Sequence, residues 1–184
     1  MKRLLVATLV FGVAFIGLGG ASTIHAASKG QIDRGVERAL EDLYDSAPGA
    51  RDLGKTAKGI LVFPKVVKGG FVFGGQYGEG ALIKNGNTAG YYNTLAASWG
   101  LQAGVQSFGY ALFFMTDRDL AYLEGSLGWE IGAGPTVVIA DAGMAKSSST
   151  TTLRKGVYAF IFSQRGLMAG LGLQGTKISK IKKY

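Results

Sequence analysis

Two hydrophobic periods divide the chain. From Ser28 to Leu43, Ile32, Val36, Ala39, Leu40 and Leu43 recur at helical spacing, while Asp33, Arg34, Glu37, Arg38, Glu41 and Asp42 take the opposite side. Ser28 with Gln31 three residues on forms a capping box, and Ala47-Pro48-Gly49 stops the helix, since proline restricts its predecessor and glycine is a poor helix former. A shorter helix follows, with Ala50, Leu53, Ala57 and Ile60 on one side. Beyond Ile60 the period becomes two. Phe71, Phe73, Tyr77 and Ile83 alternate with Gly70, Gly74, Gln76, Gly78 and Gly80. Trp99, Leu101, Ala103 and Val105 alternate with Gly100, Gln102, Gly104 and Gln106. Leu127, Trp129, Ile131 and Ala133 alternate with Gly128, Glu130, Gly132 and Gly134, and Leu167, Ala169, Leu171 and Leu173 with Met168, Gly170, Gly172 and Gln174. All four segments have one bulky apolar face and one face of glycine with Gln or Glu.

Glycine weakens a strand, so its repetition needs a structural cause, and tight bending or close approach of another backbone supplies one. The predicted fold is α+β and mainly antiparallel β: a Gly-rich, strongly curved sheet, barrel-like or a sandwich, with the N-terminal helices packed on it. Gly74, Gly104, Gly128 and Gly172 are expected where strands bend or another backbone comes close. Gln76, Gln102, Gln106, Glu130 and Gln174 form either a satisfied internal polar network or the lining of a small cavity. Among the connecting pieces, Asn85-Gly86 is a hairpin turn, Phe108 to Met115 a buried strand, and Thr116 the cap of a short helix running through Leu123. Pro135 to Asp141 and Gly156 to Ser163 read as further strands, and Ser147 to Thr152 as a polar loop.

Residues 1–26 read as an address, not as part of the fold. Lys2 and Arg3 precede an apolar and glycine run from Leu4 to Gly20, and Ile24-His25-Ala26 before Ala27 forms a cleavage site. The rival reading is an uncleaved membrane anchor, because that run sits at the short edge of a spanning helix. Cleavage implies export to the periplasm or cell envelope and a single domain over 27–184. The chain contains no Cys, which excludes acylation of an N-terminal Cys, disulfides and thiolate chemistry.

Charge adds a partner class. The net charge of +8 is unevenly spread: residues 27–141 hold 10 Lys/Arg and all 12 Asp/Glu, whereas 142–184 hold eight basic residues and no acid. A one-sign third is a footprint for anionic lipid, nucleic acid or an acidic protein. For an exported chain the expected partner is an anionic phospholipid or membrane surface, not nucleic acid. A protein partner or self-association stays open, since Phe71, Phe73, Trp99 and Trp129 would serve an interface as well as a core.

Catalytic signatures are lacking. With one His and no Cys there is no His-pair or thiolate metal site, and no P-loop, G-x-S-x-G or H-E-x-x-H occurs. Gly170 to Gly175 matches G-x-G-x-x-G, but only nine residues follow and none is acidic, so no dinucleotide site is built there. The expectation is a non-enzyme without cofactor or metal.

Three blocks carry a resemblance. Ala57-Lys58-Gly59-Ile60-Leu61-Val62-Phe63-Pro64-Lys65 with Lys68 to Gly80 resembles the opening signature of the SYLF family of lipid-binding domains. Ser98 to Gln106 is similar to its central S-x-G-x-Q-x-G-x-Q segment, and Phe162 to Gly175 to its closing block, with Phe162, Arg165 and Gln174 standing where Tyr, Lys and Glu are usual. The resemblance implies a non-catalytic module that binds phospholipid. With the charge distribution, it nominates Lys65, Lys68, Arg165, Lys177 and Lys180 as lipid-binding residues. The alternative is an envelope scaffold that binds another protein, with lipid incidental.

Overall fold

The computed structural model describes residues 27–70, 73–99, 104–126, 128–140, 156–166, 173 and 175–184. The first helix, α1 (Lys29–Ser46), starts where the capping box places it: Ser28 N–H donates to Gln31 Oε1 (2.8 Å) and Gln31 N–H to Ser28 Oγ (3.4 Å). Its buried stripe is Ile32, Val36, Ala39 and Leu43, with Leu40 half-buried. The second, α2 (Pro48–Thr56), begins on the proline that ends the first and buries Ala50 and Leu53. Proline suits this position because the first turn of a helix has no use for its missing N–H.

Among the described residues eight strands follow in one sheet: β1 (Gly59–Gly70), β2 (Phe73–Lys84), β3 (Asn87–Trp99), β4 (Gly104–Phe114), β5 (Trp129–Glu130), β6 (Val137–Ala140), β7 (Val157–Gly166) and β8 (Lys177–Ile181). A third helix, α3 (Asp117–Gly125), follows β4, with Thr116 Oγ1 accepting from Asp119 N–H at 3.1 Å. The spatial order is β5-β8-β3-β2-β1-β4-β7-β6, antiparallel throughout except for the parallel pair β6–β7. The turn between β2 and β3 places Asn85 at φ 50° and Gly86 at φ 77°, the left-handed pair that a two-residue hairpin requires.

This single sheet is a strongly curved half-barrel, not a sandwich. Contacts across it show which face is hollow. Tyr110 on β4 donates to Thr94 Oγ1 on β3 at 2.6 Å, although β1 and β2 lie between those strands. Phe114 on β4 reaches Trp129 on the edge strand β5, ring centroids 5.8 Å apart. The concave face therefore closes on itself around Leu61, Phe63, Leu82, Tyr92, Phe108, Leu112, Trp129 and Ile178, and α3 adds Leu120 and Leu123. On the convex face α1 and α2 cover Ile60, Val62, Ala81, Ala111, Phe113, Phe160 and Phe162.

Among the described residues three one-residue bulges shift the alternation, one of them in β3 between Thr88 and Gly90. Between Val62 and Lys65, β1 advances three residues while β2 advances two, and β7 has the same surplus opposite Ser107 to Gly109, where Ser163 adopts φ 52°. Before its bulge β1 sends Leu61 and Phe63 inward; after it Val66 points inward and Lys65, Val67 and Gly69 share the convex face.

The structure differs from the sequence reading in three places. The segment Leu127 to Ala133 yields only the two-residue β5, because Ile131 to Pro135 turns away through Gly132 (φ 110°) and Gly134 (φ 100°). Lys177–Ile181, to which the sequence pattern assigns no strand, is strand β8. Glu130 is exposed and stands on the convex side opposite Lys177, apart from the Gln layer. Gln102, Gly172 and Gln174, the leader 1–26 and the loop 147–152 lie outside the described residues.

Candidate functional site

Helices α1 and α2 shield only the half of the convex face before the bulges of β1 and β7. Beyond them the strand register brings side chains from seven strands into one row: Glu130, Lys177, Leu95, Tyr77, Val67, Ser107 and Arg165, each the cross-strand partner of the next. The apolar members are open to solvent, with Val67 at 42%, Tyr77 at 43% and Leu95 at 54% relative exposure. Val105, opposite Gly69 one step further along, is 68% exposed. A contiguous group of large apolar side chains facing water marks a binding surface more often than an accident of composition.

Cations frame this group. Lys177 and Arg165 stand at its two ends, and Lys65, opposite Glu79, borders it on the helix side; all three are exposed. The register thus gathers three of the five basic residues nominated from sequence. The other two face elsewhere. Lys68 is half-buried on the concave side, between Gln76 on β2 and Gln106 on β4. Lys180 pairs with Tyr92 and lines a depression of about 500 Å³ with Lys29, Lys182 and Lys183.

The Gln layer lies where glycine clears the concave side. Gln76 and Gln106 are buried, and Gln76 Nε2 donates to Thr176 Oγ1 at 3.2 Å. Among the described residues Gln106 Oε1 has no partner. Gly74 and Gly104 are half-buried in the strands near this layer, and Gly104 at φ 152° has a backbone that side chains rarely adopt. The close approaches fall at two other members of the glycine face. A Cβ on Gly78 would stand 2.8 Å from the Lys65 carbonyl oxygen, and one on Gly80 would overlap the Val62 carbonyl oxygen, both at the β1 bulge. At Gly128 the nearest atom is only the flexible end of Lys177, at 2.8 Å.

Sequence reasoning missed a charged clasp at the border of the bare face. Glu79 Oε1 accepts from Lys183 Nζ (2.8 Å) and Tyr77 hydroxyl (2.9 Å), while Oε2 accepts from Ala27 N–H (3.0 Å). Lys183 also donates to the Ala27 carbonyl at 3.0 Å, and the side chains of Lys183 and Glu79 are only 9% and 11% exposed. Burial pushes the Glu79 carboxyl up, but the bonds from Lys183, Tyr77 and Ala27 outweigh it and hold the group below the usual carboxylate range. Burial and the neighbouring carboxylate raise the Tyr77 hydroxyl to about 12. No local motif joins residues 27, 79 and 183; only the folded sheet does.

The described residues define an α+β half-barrel with one bare, partly apolar half of its convex face. Residues 95–183 match the family model Ysc84, described as Las17-binding protein actin regulator. That stretch is similar to this family, the SYLF family that the sequence blocks resemble. No curated protein matches the chain. Among the described residues no helix is long and apolar enough to cross a membrane.

Proposed function

We propose that the chain is a non-catalytic, exported protein that adsorbs to anionic phospholipid through the bare half of its convex face. The observation that supports this reading is the row Lys177–Leu95–Tyr77–Val67–Ser107–Arg165, apolar at its centre and cationic at its ends. Such a pattern fits a lipid interface. Apolar side chains enter the headgroup boundary, and the stems of Lys and Arg lie along it with their charged heads at the phosphates. A cation near an anionic surface contributes about 1 kcal/mol, so Lys65, Arg165 and Lys177 together contribute about 3 kcal/mol, roughly a hundredfold in partitioning. Glu130 beside Lys177 subtracts from that end. Actin regulation, the activity in the family description, suits a chain that shares a compartment with actin, which an exported chain does not.

The test is flotation of the processed protein with vesicles of phosphatidylcholine alone or mixed with phosphatidylglycerol, at low and high salt. Binding should favour the anionic vesicles, weaken with salt, and fall about a hundredfold when Lys65, Arg165 and Lys177 are all changed to Gln. Equal binding to both vesicle types, or none to either, refutes the proposal. Self-association that detergent leaves unchanged, without retained lipid, supports the envelope scaffold instead.

A further inference from the structure

We propose that Glu79, with Tyr77 and Lys183, is a capture site for a chain-terminal primary ammonium: that of Ala27, once the leader is cut away after Ala26. The inference rests on the export half of the proposed function but not on membrane binding, and on the geometry around Ala27. Its backbone nitrogen lies 3.0 Å from Glu79 Oε2, the oxygen that no other described group occupies. Hydrolysis of the Ala26–Ala27 peptide bond, in which water gives its hydroxyl to the Ala26 carbonyl carbon and a proton to the nitrogen, would turn that amide into an amine that solvent protonates. The neutral hydrogen bond would become charge-assisted, a class about twice as strong.

The surroundings suit such a group. Tyr77 and Lys183 saturate Oε1 and fix the carboxylate, while Lys183 holds the other end of the same residue through the Ala27 carbonyl at 3.0 Å. Ala27 is itself half-buried, which leaves the remaining ammonium protons a path to water. The charged and titratable groups facing the site are Glu79 and Tyr77 on β2, Lys183 beyond β8, and Lys65 opposite Glu79 on β1. The carboxylate holds the ammonium directly and Lys183 opposes it from the far side of Ala27. The two influences therefore have opposite, separable signs.

The experiment expresses the full chain, with its leader, in a bacterial host and recovers the exported product. Intact mass should place Ala27 first; a different first residue overturns the proposal. The pH dependence of amine acetylation, followed by peptide mass spectrometry, then gives the titration of the Ala27 α-amine. An unconstrained α-amine titrates at about 7.7–8.0. In the folded protein we expect it about one unit higher, hence about tenfold less reactive at pH 7 than in urea. Glu79→Gln should return the amine to its ordinary value or below, and Lys183→Met should raise it further. These opposite shifts are not produced by a general loss of structure. If Glu79→Gln does not fold, Lys183→Met alone carries the test. An α-amine with ordinary reactivity in the folded protein, or two variants that shift it in the same direction, overturns the proposal.

Discussion

Gly80→Ala adds one methyl group where β2 passes the bulge of β1. The new Cβ would overlap the Val62 carbonyl oxygen and stand 2.8 Å from Phe63 Cδ1. Neither obstacle has room to give. Val62 and Phe63 are fully buried, β1 is hydrogen-bonded on both sides to β2 and β4, and the Phe63 ring packs on Tyr110 at 4.8 Å between centroids. Overpacking costs about 1–3 kcal/mol, and an obstacle of fixed backbone in mid-sheet argues for about 3. Replacing glycine in a strand restores about 0.5–1 kcal/mol of chain entropy, leaving a net loss of about 2 kcal/mol. For a domain of this size that lowers Tm by roughly 4–8 °C. Gly75→Ala on the same strand is the matched control. Its nearest neighbour would be the Ala96 carbonyl oxygen at 3.7 Å, an ordinary contact, so Tm should hold or rise slightly. Thermal melts by circular dichroism read both. A Gly80→Ala protein that melts within about a degree of the parent, or a control that falls equally, refutes close backbone approach as the reason for this glycine.

The remaining predictions concern other parts of the molecule. Gln76→Leu should cost about 1–3 kcal/mol in a denaturant titration, because it strands the buried Thr176 hydroxyl. Gln106→Leu should cost less, since it removes an Oε1 that has no partner among the described residues; equal losses would show that the two glutamines do the same job. The lowered native pKa of Glu79 means its contribution to stability is complete above the ordinary glutamate range, about 4.3, and is lost as pH falls through the lower native value. Glu79→Gln should therefore flatten that part of the acid limb in melts taken from pH 6 downward to about pH 2. The double variant Leu95→Ser, Val105→Ser should weaken the salt-resistant part of vesicle binding while leaving Tm nearly unchanged, because both side chains are largely in water already.

Local signals in the sequence were read directly. The capping box at Ser28 and Gln31, the turn at Asn85-Gly86 and the cap at Thr116 each depend on a few adjacent residues, and each is made by the bonds or dihedrals expected. The two-residue period also located β2, and the apolar run Phe108 to Met115 located β4. The alternating segment Trp99 to Gln106, by contrast, is divided between the end of β3 and the start of β4. Burial was harder to read, because it depends on what covers a face. Tyr77 and Ala81 share the convex side of β2, yet Ala81 lies under the helices while Tyr77 is in water. Strand β8 was hidden because three of its residues are Lys or Ser, and only pairing with β3 and β5 shows that Ile178 belongs to the core. The nominated cations could be picked out by charge, but their division into Lys65, Arg165 and Lys177 on one face and Lys68 and Lys180 elsewhere follows from register. Thr94 and Thr176, both fully buried, carried no signal until Tyr110 and Gln76 were seen to reach them.

The bulge at Pro64 acts as a phase shifter along β1. Upstream of it the odd-numbered residues build the hollow wall; downstream the odd-numbered residues form the outer skin. Which side chains meet solvent is thus set by a count of residues as much as by their identity. Were Pro64 taken into the ladder as an ordinary paired residue, with no bulge, strict alternation along the numbering would rotate everything that follows. Val66 and Lys68 would be sent outward, and Lys65 and Val67 would be driven into the trough beside Phe108 and Gln106. Whether one residue here is bulged or paired therefore decides which surface exists, without altering any letter of the sequence. Ser163 gives β7 the same lever on Arg165.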